Sequence, residues 1–186
     1  MPEPLTNPAP SDTESHRQHQ AAGLKYGALG FAIITMSDSR TPESDTSGQL
    51  IRQLVHSAGH HVPRYALVPD DPHRIRVELH AALVDPAVAV VVTNGGTGIS
   101  NRDNALDSIL ARLDKKIDGF GELFRMLSYA EIGAAAMLSR AIAGVAGGKV
   151  VFSLPGSTKA VRLGMEKLIL PEAGHVWFEL QKHAAL

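Results

Sequence analysis

The sequence predicts an α/β protein: a three-layer, doubly wound, mostly parallel sheet with helices on both faces. Two observations carry this expectation. Four short runs, Ala28 to Thr35, Val62 to Val68, Ala87 to Thr93 and Lys149 to Leu154, are largely apolar throughout, as in strands covered on both sides. The stretches between them have helical periodicity, and right-handed crossovers distribute such helices over the two faces of a sheet.

Each element follows from local chemistry. Residues 1–24 are rich in Pro, Ser, His and acidic or amide side chains without apolar periodicity, so a disordered tail is expected ahead of one domain spanning 25–186. His16 and His19 in that tail are read as solvated. After the first strand, Leu50, Ile51, Leu54, Val55 and Ala58 form one stripe at helical spacing, and Gly59 stands where a helix would stop. After the second, Asp71 supplies a cap and Pro72 a first-turn residue for a helix marked by Ile75, Leu79, Ala82 and Leu83. Three helical stretches are expected between the third and fourth strands, over 103–113, 121–129 and 132–145, with Asp114, Lys115, Lys116 and Asp118 in an exposed connection. Two further helices, over 157–170 and 172–182, close the chain.

Composition narrows the function. The chain has 186 residues, 44% of them apolar and 20% charged, enough for one well-formed core. Eighteen basic side chains against nineteen acidic ones give a net charge of -1, so neither nucleic acid nor an anionic membrane is an expected partner. Any anion must be held locally. With no cysteine there is no disulfide, thiolate zinc site or cysteine nucleophile. The apolar runs are too short to span a bilayer and Met1 to Gln20 lacks a secretory pattern, so a cytoplasmic location is expected.

In an open parallel sheet, ligands bind beyond the carboxyl ends of the strands. The four strands run into Ser37-Asp38-Ser39, Pro69-Asp70-Asp71, Thr93-Asn94-Gly95-Gly96-Thr97-Gly98 and Pro155-Gly156-Ser157-Thr158-Lys159. Every polar cluster therefore falls at one rim. Gly95, Gly96 and Gly98 would let backbone N–H groups approach a phosphate, with Thr93 and Thr97 adding hydroxyls; a ligand-free tight turn is the alternative. The loop has neither the P-loop lysine nor the GxGxxG spacing of a dinucleotide site, which argues against a nicotinamide dehydrogenase. Ser157, Thr158 and Lys159 either grip a second anionic group or simply cap a helix. Asp38, Asp70 and Asp103 lie in or near these loops, where carboxylates suit a phosphate site when Mg²⁺ stands between, though each alone also suits a cap or turn. His56 and His60 have metal-pair spacing but no acidic or cysteine partner, and a solvated helix edge is favoured.

From about Gly30 to Leu170 the chain resembles the MoaB/Mog family of molybdenum cofactor biosynthesis proteins. The resemblance rests on SDSRTPESDTSG (Ser37 to Gly48), LVPDD (Leu67 to Asp71), TNGGTG with NRD following (Thr93 to Asp103), GFGELFRMLSYAEIG (Gly119 to Gly133), LSRAIAGV (Leu138 to Val145) and LPGSTKA (Leu154 to Ala160). It implies a molybdopterin adenylyltransferase, a nucleotidyltransferase that uses Mg²⁺ and ATP. The terminal phosphate of molybdopterin would attack the α-phosphate of ATP, giving adenylyl-molybdopterin and pyrophosphate. Asp70 and Asp103 fall on the family's two functional aspartates and would be catalytic and metal-holding. Thr93, Asn94, Gly95, Gly96, Thr97 and Gly98, with Ser37 and Asp38, would bind nucleotide phosphate, and Pro155 to Lys159 (Pro155, Gly156, Ser157, Thr158, Lys159) the pterin. Asp38 and Asp45 match acidic positions of the family's first loop.

The resemblance also implies a homotrimer or hexamer; a molybdate-inserting protein is a candidate partner. Phe120, Leu123, Phe124 and Leu127 form an apolar stripe that is either core or interface. Two departures from the family pattern stand out. Arg102-Asp103 is followed by Asn104-Ala105-Leu106-Asp107-Ser108 where active members continue Val-Thr-Pro-Glu-Ala, leaving Asp107 to stand in for the glutamate. Asn94 replaces the usual Ser or Thr before the glycines. The competing expectation is a catalytically silent molybdopterin-binding carrier of the same pathway.

Overall fold

The computed structural model describes residues 27–99 and 105–182. The expected tail at 1–24 lies outside the described residues. The elements in chain order are β1 (Gly30–Met36), α1 (Thr46–Ser57), β2 (His61–Val68), α2 (Pro72–Val84), β3 (Val90–Gly95), α3 (Ala105–Leu110), β4 (Lys115–Lys116), α4 (Asp118–Ile132), a 3-10 turn (Gly133–Leu138), β5 (Ile142–Ala146), β6 (Lys149–Leu154), α5 (Thr158–Gly164), a π segment (Met165–Ile169) and α6 (Leu170–Gln181). The six strands form one sheet in the order β2-β1-β3-β6-β5-β4. β2, β1, β3 and β6 are parallel, and β5 and β4 continue antiparallel.

Strand alternation divides the interior into two layers. Phe31, Ile33, Val90, Val92, Val150 and Phe152 face α1, α4 and the α5 to α6 run, meeting Leu50, Ile51, Val55, Phe120, Phe124, Val161, Met165 and Ile169. Ala32, Ile34, Val91 and Val151 face the other way, onto Ile75, Leu79 and Leu83 of α2 and Ala105 and Ile109 of α3. Burying a large aliphatic side chain contributes about 1.5–3 kcal/mol, against tenths for helix propensity, so the stripes rather than propensity fix these helices on the sheet. The expected three layers are therefore present. The cap signals at α2 also hold: the Arg74 N–H donates to Asp71 Oδ1 at 2.8 Å, with Pro72 in the first turn.

Two expectations fail. The stretch 132–145 is not a helix: after the 3-10 turn it becomes β5, which forms a hairpin with β6. The connecting Gly147 and Gly148 have φ of 52° and 71°, the positive values that a two-residue hairpin turn requires. β5 then pairs with Lys115–Lys116, turning the expected exposed connection into a two-residue edge strand. The two closing helices are joined through the π segment. Pro171 sits in the first turn of α6, where its missing N–H and its ring interrupt the regular ladder. At the opposite edge, β2 carries the exposed Pro63, and its pairing with β1 slips between Gly30 and Ala32.

Candidate functional site at the carboxyl rim of the sheet

β1 has β2 on one side and β3 on the other, so the crossover direction reverses between β1 and β3. A crevice opens beyond the strand ends at such a switch point. Ser37 and Asp38 follow β1, Asp70 follows β2, the glycine loop ends β3, and Pro155 to Lys159 follow β6, so all four polar clusters reach one rim.

The glycine loop and Asp70 lie against one another. Gly96 has φ of 57°, and a Cβ placed there would stand 2.3 Å from the Ala105 Cβ and 3.1 Å from Asp70 Oδ2. Any side chain at this position would fill the space between loop and carboxylate. The Asp70 N–H donates to Asp38 Oδ1 at 2.9 Å, so Asp38 organises the loop that presents Asp70. Ser37 shapes its own turn, its Oγ accepting from the Ser39 and Arg40 N–H groups, each at 3.3 Å. Asp103 lies outside the described residues.

Thr93 and Asn94 are fully buried, whereas Gly96 and Thr97 are half-buried and Gly98 is exposed. Asn94 turns its amide inward: Nδ2 donates to Thr35 Oγ1 at 2.9 Å and Oδ1 accepts from Ser47 Oγ at 2.8 Å. Its side chain thus anchors the base of the loop. The Thr93 hydroxyl lies inside the sheet as well, beside Ser153 across the β3–β6 pairing.

In the fourth cluster, Ser157 caps α5 by accepting from the Ala160 N–H at 3.2 Å, and Thr158 Oγ1 lies 3.3 Å from Thr46 Oγ1. Ser157, Thr158 and Lys159 are exposed, while Pro155 and Gly156 are half-buried. A Cβ at Gly156 would stand 3.1 Å from the Gly95 Cα. The turn and the glycine loop therefore touch backbone to backbone. The structure brings together Asp38, Asp70, Gly95, Gly96 and Gly156.

Two groups around the rim make contacts that go beyond what was read for Asp45 and Asp107 from the sequence. The first centres on Asp45, fully buried, whose Oδ1 accepts from the Gly48 N–H at 3.0 Å and whose Oδ2 accepts from Tyr65 Oη at 2.7 Å. Burial works to raise its pKa, but hydrogen bonds from Thr35, Gly48, Tyr65 and Ser47 outweigh it and hold the carboxyl below the ordinary aspartate value. Burial and this carboxylate together push the Tyr65 hydroxyl up to about 12. Asp45 preceding an apolar stripe is a cap signal legible in the sequence. The second group is Arg140, which holds Asp107 and the Gly98 carbonyl; no sequence spacing announces it. His56 and His60 do not form a pair: His56 is exposed, while His60 Nδ1 accepts from the Leu29 N–H at 3.1 Å. Among the described residues, no three His, Asp or Glu side chains are grouped so as to hold a metal by themselves.

Comparison with known proteins identifies the family and the fold. The family model described as "Probable molybdopterin binding domain" matches residues 32–175. The molybdenum cofactor biosynthesis protein B of Bacillus cereus is 57% identical over 151 residues, which cover 81% of this chain and 89% of that protein. A crystal structure of a molybdenum cofactor biosynthesis protein B superimposes with a TM-score of 0.82 at 55% identity, covering 84% of this chain and 98% of the other. The tungsten cofactor synthesizing protein MoaB of Pyrococcus furiosus follows with a TM-score of 0.75 at 40% identity, over 82% and 97% of the two chains. A chain whose strand ends gather these loops, and which matches over most of its length at such identity, belongs to the MoaB family of molybdenum cofactor biosynthesis proteins.

Proposed function

We propose that the rim catalyses adenylyl transfer from ATP to molybdopterin. The observation that carries the reading is the side-chain-free Gly95-Gly96 loop set directly against the Asp70 carboxylate. A terminal phosphate oxygen of molybdopterin forms a bond to the α-phosphorus of ATP, and the bond from that phosphorus to pyrophosphate breaks. No protein nucleophile is needed, because positioning and charge stabilisation are what phosphoryl-type transfer demands. Bare amides around Gly96 to Gly98 receive phosphate oxygens, and the Pro155 to Lys159 turn, touching Gly95 through Gly156, places the pterin substrate alongside.

Mg²⁺ fits this donor set, since it takes one or two carboxylates and leaves its other positions to substrate phosphate and water. Asp70 would hold it, with Asp103 from the adjoining segment, and its charge would offset that of the phosphates. Asp38 holds the Asp70 backbone from which the carboxylate projects. A homotrimer or hexamer is part of the reading, supported by the exposed apolar side chains of Leu123, Met126, Tyr129, Ile132, Met137 and Leu138 on α4 and the turn after it. Light scattering tests it, and a concentration-independent monomer removes it. We place the activity in the cytoplasm, upstream of a molybdate-inserting protein.

The decisive assay incubates purified protein with Mg-ATP and molybdopterin. Adenylyl-molybdopterin and pyrophosphate are expected in equal amounts, and Asp70→Asn is expected to lower the rate by about a hundredfold or more. One observation favours the carrier reading instead: Asp107, which stands in for the family's glutamate, is engaged by Arg140 at 2.8 Å. Molybdopterin binding without any product from Mg-ATP would establish the carrier.

A further inference from the structure

The Asp45 cluster reaches further than a helix cap needs to. Arg40, in the loop after β1, donates through Nη1 to Asp45 Oδ1 at 3.2 Å and to Ser47 Oγ, and through Nη2 to the Gly156 carbonyl at 2.8 Å. Ser47 donates to Asn94, and Asn94 immediately precedes Gly95. One buried carboxylate thus anchors the first loop, the base of the glycine loop and the turn after β6. Helix capping of α1 requires only the Gly48 N–H contact. The arm of Arg40 that reaches Gly156, 116 residues away in sequence, serves the rim.

From this bracket we infer that Arg40 is a positioning residue for the pterin substrate, acting through the peptide between Gly156 and Ser157. No peptide bond in the described residues is cis. In a trans peptide the carbonyl and the following N–H point in opposite directions. Holding the Gly156 carbonyl on a guanidinium therefore aims the Ser157 N–H away from Arg40. It also occupies an oxygen whose lone pairs would repel an anionic substrate. Glycine at 156 would otherwise let this peptide rotate, because it has no side chain to restrict it. The Arg40 fork suits the task, since two parallel nitrogens span a carboxylate and a carbonyl where a lysine ammonium acts as one point. Asp45 sets the direction of the fork, and burial makes that anchor stiff.

This inference rests on the adenylyl-transfer reading for its substrate, and the test separates the two. Arg40→Lys keeps a cation beside Asp45 but loses the arm to Gly156. The KM for molybdopterin is expected to rise about tenfold, with the KM for ATP changed by less than about twofold and the melting temperature held within a few degrees. A purely structural role would move both KM values and the melting temperature together. Unchanged KM for molybdopterin in an active enzyme overturns the role of Arg40 and leaves adenylyl transfer standing. Where the wild type forms no product, adenylyl transfer fails and calorimetric titration with molybdopterin decides instead. An affinity about tenfold weaker in Arg40→Lys supports the positioning role, and equal affinity overturns it. Should Arg40→Lys not fold, Asp45→Asn, which loosens the anchor without touching Gly156, is expected to shift the same parameter in the same direction; no shift overturns the inference.

Discussion

Arg140 holds two groups that lie 33 and 42 residues before it in the chain: its Nη2 donates to Asp107 Oδ1 at 2.8 Å and its Nη1 to the Gly98 carbonyl at 2.9 Å. Asp107 is therefore a strut for the glycine loop, held by a cation from the segment before β5. Its side chain is 59% exposed. Asp107→Asn is expected to cost under about 1 kcal/mol of stability, as exposed pairs do. Turnover should fall by less than about tenfold, through a looser Gly98, against the hundredfold expected for a residue holding the reacting phosphates. Steady-state kinetics against ATP check this; a hundredfold loss would make Asp107 catalytic.

Gly96→Ala should damage both the fold and nucleotide binding. The backbone there has φ of 57°, and the new methyl would meet the Ala105 Cβ at 2.3 Å. A left-handed non-glycine residue with a steric clash costs about 1–3 kcal/mol, or about 2–12 °C in melting temperature for a chain of this size. Calorimetry and ATP titration should both register the change.

Tyr65→Phe removes the 2.7 Å hydrogen bond to the buried Asp45 carboxylate while Thr35, Gly48 and Arg40 remain. A hydrogen bond to a charged group contributes about 1.5–3 kcal/mol, and a loss near the lower end is expected at neutral pH. Asp45 has a depressed pKa in the folded state, so its stabilisation is present above the unfolded value and lost as pH falls through the folded one. The deficit of the variant should accordingly shrink in acid. Urea titrations of both proteins at pH 7 and near pH 3 measure it.

Burial, with His61 adding to it, holds His60 below its ordinary value of 6.5. Its Nδ1 must stay unprotonated to accept from Leu29. Below 6.5 the unfolded chain takes up a proton that the folded chain refuses, so this residue lowers stability as pH falls. His60→Asn offers an acceptor in a similar place without titrating. Between pH 7.5 and pH 5 its melting temperature should drop less than that of the wild type; parallel curves would exclude His60 as the source.

What the sequence disclosed and what it withheld follow from the range of the interactions involved. The stripe of Leu50, Ile51 and Val55 and the Asp71-Pro72 cap are local patterns that the structure places as read, and the third apolar run, read as 87–93, is the strand Val90–Gly95. The gathering of Asp38, Asp70 and the glycines at one rim follows from strand direction alone. The hairpin of β5 and β6 was also written locally, in Gly147-Gly148 between apolar flanks, but the alanines and Leu138 ahead of it imitate a helix. Arg40 to Gly156 and Arg140 to Gly98 span 116 and 42 residues. Such contacts carry no spacing signal, since only the finished fold brings their partners together. Asn94 is an instructive case: a polar residue beside a glycine loop reads as a ligand contact until burial shows its amide facing Thr35 and Ser47.

The two margins of the sheet bear on how copies of this protein can meet. At one, Pro63 lacks an N–H and the register slips between Gly30 and Ala32; at the other, the edge strand is the two residues Lys115 and Lys116. Neither margin offers a row of open amides and carbonyls that is both long and uninterrupted, onto which a foreign strand could zip. Fibril-like growth is thereby discouraged even in crowded solution. Side-chain contacts between helices, such as the exposed apolar residues of α4, are the route of self-association that the sheet margins leave open.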